Sequence, residues 1–189
     1  MAIIFRLKKI IFVDVRILKY RILSECNNVT GKPILFHPLL LKGKGNIKFG
    51  KNVQIGVISS PNYFSHYCYI EARETESKVI IGNNVSINNA FSIVAFSTII
   101  IEDNVLIGVN CSIIDNDGHH LDADKRNSGT PKSGVVTIKE NAFLGSNVTI
   151  LKGVTIGKNS IVGNGSVVTK DISDNVIAAG NPAKIIRNL

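Results

Sequence analysis

From Ile138 onward an aliphatic residue returns every six positions: Leu144, Ile150, Ile156, Val162 and Val168 follow it. Four places after each of the first five sits a small or β-branched residue: Ala142, Val148, Val154, Ser160 and Ser166. Gly follows the aliphatic residue at Gly145, Gly157 and Gly163. Helices repeat every 3.6 residues and strands every two, so a strict period of six is neither alone. It predicts a short strand plus a turn, wound as one side of a parallel β-helix. Each strand buries one aliphatic residue, and each turn needs Gly or Asn, which tolerate positive φ.

The same phase runs upstream through Ile81, Val85, Ile87 and Ile93, then through Ile101, Ile107 and Ile113 after a two-residue slip. A weaker start lies at Phe49, Val53 and Ile55. Six residues per side and three sides per turn predict about five coils, interrupted at 57–78 and 114–137. One coil cannot bury its own apolar side chains, so stacking must make the solenoid stable. A narrow prism lined by Ile, Val and Leu also fits a chain of 189 residues that is 44% hydrophobic but only 6% aromatic, without Trp.

Net charge is +8, which favours anionic partners such as phosphates, acidic glycans or a membrane surface. No nucleic-acid motif is present and the cations are not interleaved with aromatics, so nucleic acid is not expected. Cys26, Cys68 and Cys111 are odd in number and widely spaced, which favours reduced thiols and a cytoplasmic setting.

Residues 1–45 read as a basic amphipathic segment plus a linker. Ile3, Ile4, Leu7, Ile10, Ile11, Ile17, Leu18 and Ile22 recur at roughly helical spacing. Arg6, Lys8, Lys9, Arg16, Lys19 and Arg21 against Asp14 give this stretch a net +5. Its apolar run is too short to span a bilayer, and no cleavage site follows it. Two readings stay open: helices that cap the open end of the solenoid, or a surface resting on anionic lipid at the inner membrane face. Residues 25–48 look linker-like, with Gly31, Pro33, Pro38, Gly43 and Gly45. The β-helix is expected over 46–180, and 181–189 as a C-terminal tail.

The 114–137 break is polar and titratable: Asp115, Asp117, His119, His120, Asp122 and Asp124 fall within it. An insertion in a repeat array maps to a loop on one face, often the binding face. A histidine there can act as general base, and a neighbouring carboxylate can fix its tautomer. A solvated loop is the alternative. Adjacent histidines point apart and the other two are remote, so no metal site is expected. Asp115, Asp117 and Gly118 mimic only part of a calcium loop, and no flanking helices are expected.

The hexapeptide coils, the segment Gly-His119-His-Leu-Asp122-Ala-Asp-Lys-Arg126-Asn and the ending Val-Val-Thr169-Lys170 through Gly-Asn-Pro-Ala-Lys184-Ile-Ile-Arg187 resemble the left-handed parallel β-helix acyltransferases. The maltose and galactoside O-acetyltransferases, and relatives that decorate bacterial surface polysaccharides, are most similar. The resemblance is strong over 80–189. It implies an all-β, left-handed fold with an extruded catalytic loop, a homotrimer with sites between neighbours, and acetyl-CoA as donor. It implies His119 as catalytic base, with His120, where the family commonly has Pro, as second candidate. Ser146 matches the family's hydroxyl near the reacting centre, and Asn88 its polar acceptor-site residue, although Asn88 reads equally well as a turn residue. Gly145, Asn164, Thr169, Lys170, Lys184 and Arg187 match coenzyme A contacts. Phe96 occupies the family's acidic acceptor-binding position. The implied function is O-acetylation of a sugar hydroxyl, in surface polysaccharide biosynthesis. Acetylation of an antibiotic, free sugar or serine, and a non-catalytic trimeric scaffold, are the alternatives.

Overall fold

The structure, a computed structural model, describes residues 2–189, with side-chain surroundings from residue 4 on. Three parallel sheets form the sides of a β-helix. Sheet one stacks Val29–Thr30, Asn46–Phe49, Lys78–Ile81, Thr98–Ile101, Val136–Ile138 and Thr155–Ile156. Sheet two stacks Ile34–Leu35, Gln54–Ile55, Ser86–Ile87, Leu106–Ile107, Phe143–Leu144, Ile161–Val162 and Val176–Gly180. Sheet three stacks Leu39–Lys42, Cys68–Ala72, Ser92–Ala95, Ser112–Ile114, Thr149–Ile150 and Val167–Val168.

The register puts like on like. Phe49, Ile81, Ile101, Ile138 and Ile156 form one inward column. Ile55, Ile87, Ile107, Leu144 and Val162 form the second, and Ile70, Ile93, Ile113, Ile150 and Val168 the third. All are buried. Each such side chain removed from water contributes about 1.5–3 kcal/mol, and only stacking keeps it dry. Ala142, Val148, Val154, Ser160 and Ser166 are buried as well, and the two hydroxyls are satisfied. Ser160 donates to the Ser173 carbonyl at 2.6 Å, and Ser166 to the Gly163 carbonyl at 2.7 Å.

The turn from sheet one to sheet two is made by Gly31, at φ 80°, in the coil of Val29–Thr30 and by asparagine in every later coil. Asn52, Asn84, Asn104, Asn141, Asn159 and Asn175 have φ of 56–62°. Asparagine tolerates that left-handed conformation because its short side chain bonds locally. The amides also bond between coils: Asn84 to Asn104 at 3.2 Å, Asn141 to Asn159 at 3.0 Å and Asn159 to Asn175 at 2.7 Å.

Three features differ from the sequence reading. A first coil occupies 29–42, inside the stretch that looked like linker, so there are six coils rather than five. The 57–78 interruption is narrower. Cys68–Ala72 is a sheet-three strand, and the irregular part is 57–67. Ala183–Asn188 is not a loose tail, since it pairs antiparallel with Val176–Gly180.

Residues 2–23 are helical, with α-turns at Ala2–Lys9 and Val15–Leu23 joined by one π-wound turn at Ile10–Asp14. One side packs on the body. Val13 is fully buried, Tyr20 stacks on Tyr67 at 4.4 Å, and Phe12 meets Phe64 edge-on at 6.5 Å. The 57–67 insertion beneath it is pinned from below. Buried Asn89 donates to the Val57 and Pro61 carbonyls at 3.0 and 2.9 Å. His37, also fully buried, donates from Nε2 to the Asn62 and Ser65 carbonyls at 3.0 and 3.1 Å.

Candidate active site

The polar insertion leaves the solenoid between sheet three and sheet one, from Asp115 to Val135. Its neck is rigid. Buried Asp115 accepts the Phe96 and Ser97 N–H groups, both at 2.7 Å. Asn116 bridges Ser133, the Asp117 N–H donates to the Lys132 carbonyl at 3.1 Å, and Lys152 pairs with Asp117. Beyond the neck, Asp122 caps the single helical turn Ala123–Lys125 by accepting the Asp124 N–H at 3.2 Å.

The two histidines of this loop have opposite tautomers. His119 is exposed, and its Nδ1 lies 3.2 Å from the Arg126 carbonyl oxygen. A carbonyl only accepts, so Nδ1 carries the proton and Nε2 keeps a free lone pair. His120 Nδ1 accepts the Asp122 N–H at 3.1 Å, so its proton sits on Nε2 when the ring is neutral. The His120 ring is half-buried against Gly129, where an added Cβ would come within 2.9 Å. His119 therefore presents a free ring nitrogen to solvent, whereas the ring nitrogen of His120 is tied into the loop. The sequence suggested a carboxylate as the orienting group. The backbone of Arg126 takes that place because the two nearest acids in sequence are engaged, Asp117 with Lys152 and Asp122 in capping.

Asn88, Gly145, Ser146 and Asn164 lie on a different edge, between sheets two and three. Asn88 is in the third coil and Ser146 in the fifth, about 10 Å along the stack. Asn88 Oδ1 accepts the Asn89 N–H at 2.7 Å, which leaves its amide Nδ2 without a partner among the described residues. The Ser146 N–H donates to Asn164 Oδ1 at 2.8 Å, and its hydroxyl has no partner among the described residues. Successive coils nearly touch along this edge. A Cβ on Gly145 would sit 2.3 Å from Asn164 Oδ1, and one on Gly108 would sit 2.6 Å from the Gly145 backbone. The missing side chains let successive coils stack this closely beside Ser146.

Thr169 and Lys170 are exposed and follow the last sheet-three strand, on the same edge as the His119 loop. Lys184 and Arg187 lie on the antiparallel strand that closes sheet two. Residues three apart on a regular strand point to opposite faces. Here the register shifts: Ala183 to Ile185 pair with Gly180 to Ala178, while Arg187 pairs with Ile177, leaving Ile186 bulged. Directly opposed residues share a face, so Lys184 opposite Ala179 and Arg187 opposite Ile177 both project outward. The bulge, invisible in the spacing, makes these two cations a pair.

A further cluster stands beside the loop neck. Glu71 is buried and accepts Arg73 Nε and the Tyr69 hydroxyl, both at 2.8 Å, while Arg73 lies 4.8 Å over the Phe96 ring. The Arg73 guanidinium holds the Glu71 carboxyl below its usual range, and burial together with Glu71 pushes the Tyr69 hydroxyl up to about 12. Phe96, noted at the family's acidic position, is thus the lid of an arginine whose charge is already matched.

No hydrogen bond among the described residues joins His119 to Asn88, Ser146, Thr169 or Lys184. Two surface hollows, of about 440 Å³ between Asn28, Lys48 and Lys78 and about 460 Å³ between Ile80, Ile100 and Glu140, contain none of the candidates. Among the described residues no three His, Cys, Asp or Glu side chains gather as a metal site.

Fold and repeats define the class, a hexapeptide-repeat protein of the bacterial transferase kind. Residues 136–170 match the bacterial transferase hexapeptide (six repeats), and 98–118 match the hexapeptide repeat of succinyl-transferase. More particularly, the chain is similar to acetyltransferases. It is 41% identical over 132 residues to galactoside O-acetyltransferase of Escherichia coli, covering 70% of this chain and 60% of that one. A solved galactoside acetyltransferase in complex with coenzyme A superposes with a TM-score of 0.59 at 35% identity, covering 79% of this chain and 65% of that one. The polySia-specific acetyltransferase NeuO superposes with a TM-score of 0.62 at 26% identity, covering 86% and 83%. The chain thus spans about three fifths of the length of that curated relative.

Proposed function

We propose that this protein is an acetyl-CoA-dependent O-acetyltransferase that modifies a sugar hydroxyl. The observation that carries the reading is the His119 tautomer, with Nδ1 tied to the Arg126 carbonyl and Nε2 free at an exposed loop position. In this mechanism Nε2 takes the proton of the acceptor hydroxyl as that oxygen attacks the thioester carbonyl. The tetrahedral oxyanion collapses, the C–S bond breaks, and the thiolate leaves with the proton from the imidazolium. The Ser146 hydroxyl is the proposed oxyanion donor, a contribution of a few kcal/mol in comparable sites. The Asn88 amide orients the acceptor.

The coil is left-handed in this reading, and the site is shared between copies of a homotrimer. The His119 loop and the Asn88–Ser146 edge are separated by the width of sheet three, roughly 10–16 Å. A neighbour's edge supplies what one chain keeps apart. Coenzyme A lies along the coil edge at Gly145 and Asn164, with Thr169, Lys170, Lys184 and Arg187 toward its phosphates. The similarity to the polySia-specific acetyltransferase supports a surface polysaccharide or its precursor as acceptor.

Calorimetry with acetyl-CoA, followed by thiol release against a panel of sugars, tests this. Wild type and His119→Ala should both bind acetyl-CoA, and only wild type should release thiol. Absence of acetyl-CoA binding in both would overturn the reading and leave a trimeric scaffold.

A further inference from the structure

The N-terminal helix packs with one side and leaves the other bare. Ile4, Leu7, Ile11, Val15, Leu18 and Ile22 recur at intervals of three and four, and all are 50–74% exposed. They form one apolar stripe along a helical segment about 33 Å long. Isolated exposed apolar residues are ordinary, but a continuous stripe is not. The opposite face is fixed to the body by Val13, Tyr20 and Ser24, which accepts the Leu41 N–H at 3.0 Å. The helix therefore does not turn its apolar side inward to cap the solenoid.

Cations flank the stripe. Lys8, Lys19, Arg6 and Arg21 are all exposed, and the one acid of the helix, Asp14, is taken by Lys9 at 2.6 Å. Among the described residues, no helix is long and apolar enough to cross a membrane. A stripe of this kind with a basic border suits a helix lying in the plane of a lipid–water interface. A second copy of a chain of net charge +8 would instead bring these cations against each other.

We infer that the outward face of residues 4–22 docks the protein on an anionic lipid surface. The stripe enters the headgroup boundary while Arg6, Lys8, Lys19 and Arg21 meet lipid phosphates. Phe12 and Tyr20 rest on Phe64 and Tyr67 of the 57–67 insertion, which Asn89 pins beside Asn88. Docking thus holds the proposed acceptor edge close to the membrane, where a lipid-carried sugar is presented. That consequence rests on the acetyltransferase reading; the docking itself does not.

Flotation of the full chain with vesicles tests it, using phosphatidylcholine alone and a roughly 3:1 mixture with phosphatidylglycerol. Wild type should float with the anionic vesicles at low salt, and much less with phosphatidylcholine or in about 0.5 M salt. Leu7→Glu/Leu18→Glu should weaken flotation at least about tenfold, and Lys8→Ser/Arg21→Ser should weaken it on anionic vesicles alone. Acetyl-CoA affinity, measured on the same variants, should not move, so failure of docking and failure of the transferase reading give separate results. No flotation of wild type, or equal flotation of Leu7→Glu/Leu18→Glu, overturns the inference. So does a change of oligomeric mass in that variant by light scattering, which would assign the stripe to a second copy.

Discussion

His119 and His120 are neighbours with opposite hydrogen-bond roles, and that difference predicts unequal mutants. His119→Ala should lower kcat about 10²–10⁴-fold without changing acetyl-CoA affinity. His120→Asn keeps an acceptor where Nδ1 stood, so the Asp122 N–H stays satisfied and activity should hold within about tenfold. Steady-state kinetics on both variants decide it, and a His120→Asn loss as deep as that of His119→Ala would reverse the assignment. His37 offers a second test at this scale. Burial lowers its pKa, and Nε2 is committed to the Asn62 and Ser65 carbonyls. Below about pH 6.5 the unfolded chain takes up a proton that the folded His37 resists, so stability is present above that pH and lost as pH falls. Thermal melts from about pH 7.5 to 5.5 should drop more steeply for wild type than for His37→Asn. Parallel slopes would remove His37 from the acid response.

At the scale of the coil, stability is a sum over stacked layers. Ile113 is fully buried between Ile93 and Ile150 in the column of sheet three. Ile113→Ala should cost about 2–5 kcal/mol in denaturant unfolding, because flanking strands cannot collapse into the void. A cost under about 1 kcal/mol would mean that the prism relaxes more freely than its register implies. The asparagine edge is testable in the same way. Asn159→Gly loses two interamide bonds but keeps the backbone unstrained, whereas Asn159→Ala also places a Cβ at φ 60°. The alanine variant should be less stable than the glycine variant by about 1 kcal/mol, as read from urea midpoints. This level of the fold was the most legible in the sequence. Every aliphatic position named from Ile81 to Val168 points inward, since burial and period are set by the same geometry. The first coil was obscured by Gly31, Pro33 and Pro38. Yet Val29, Leu35, Leu41 and Ile47 keep the period of six through it. Those first three are only partly buried, because an end coil has one neighbour instead of two.

Over the whole molecule, the candidate site was legible as residues but not as a place. The family resemblance marked His119, Asn88 and Ser146 without saying that they stand on two edges of one prism. Nor could it reveal the Ile186 bulge that turns Lys184 and Arg187 to one face, because a bulge depends on pairing register rather than local composition. Edge separation leads to the last prediction. If neighbouring copies each contribute half of a site, two inactive variants should complement one another within mixed trimers. Co-expressed His119→Ala and Asn88→Ala/Ser146→Ala chains, assembling at random, rebuild an intact site wherever an intact loop faces an intact edge. For two chain types in equal amounts that happens at about a quarter of the junctions, so about a quarter of wild-type turnover should return. Separately purified variants mixed without subunit exchange should stay inactive, which controls for residual activity. No recovery in verified mixed trimers would place both halves within one chain, and the loop would then have to fold back across sheet three to meet its own Asn88.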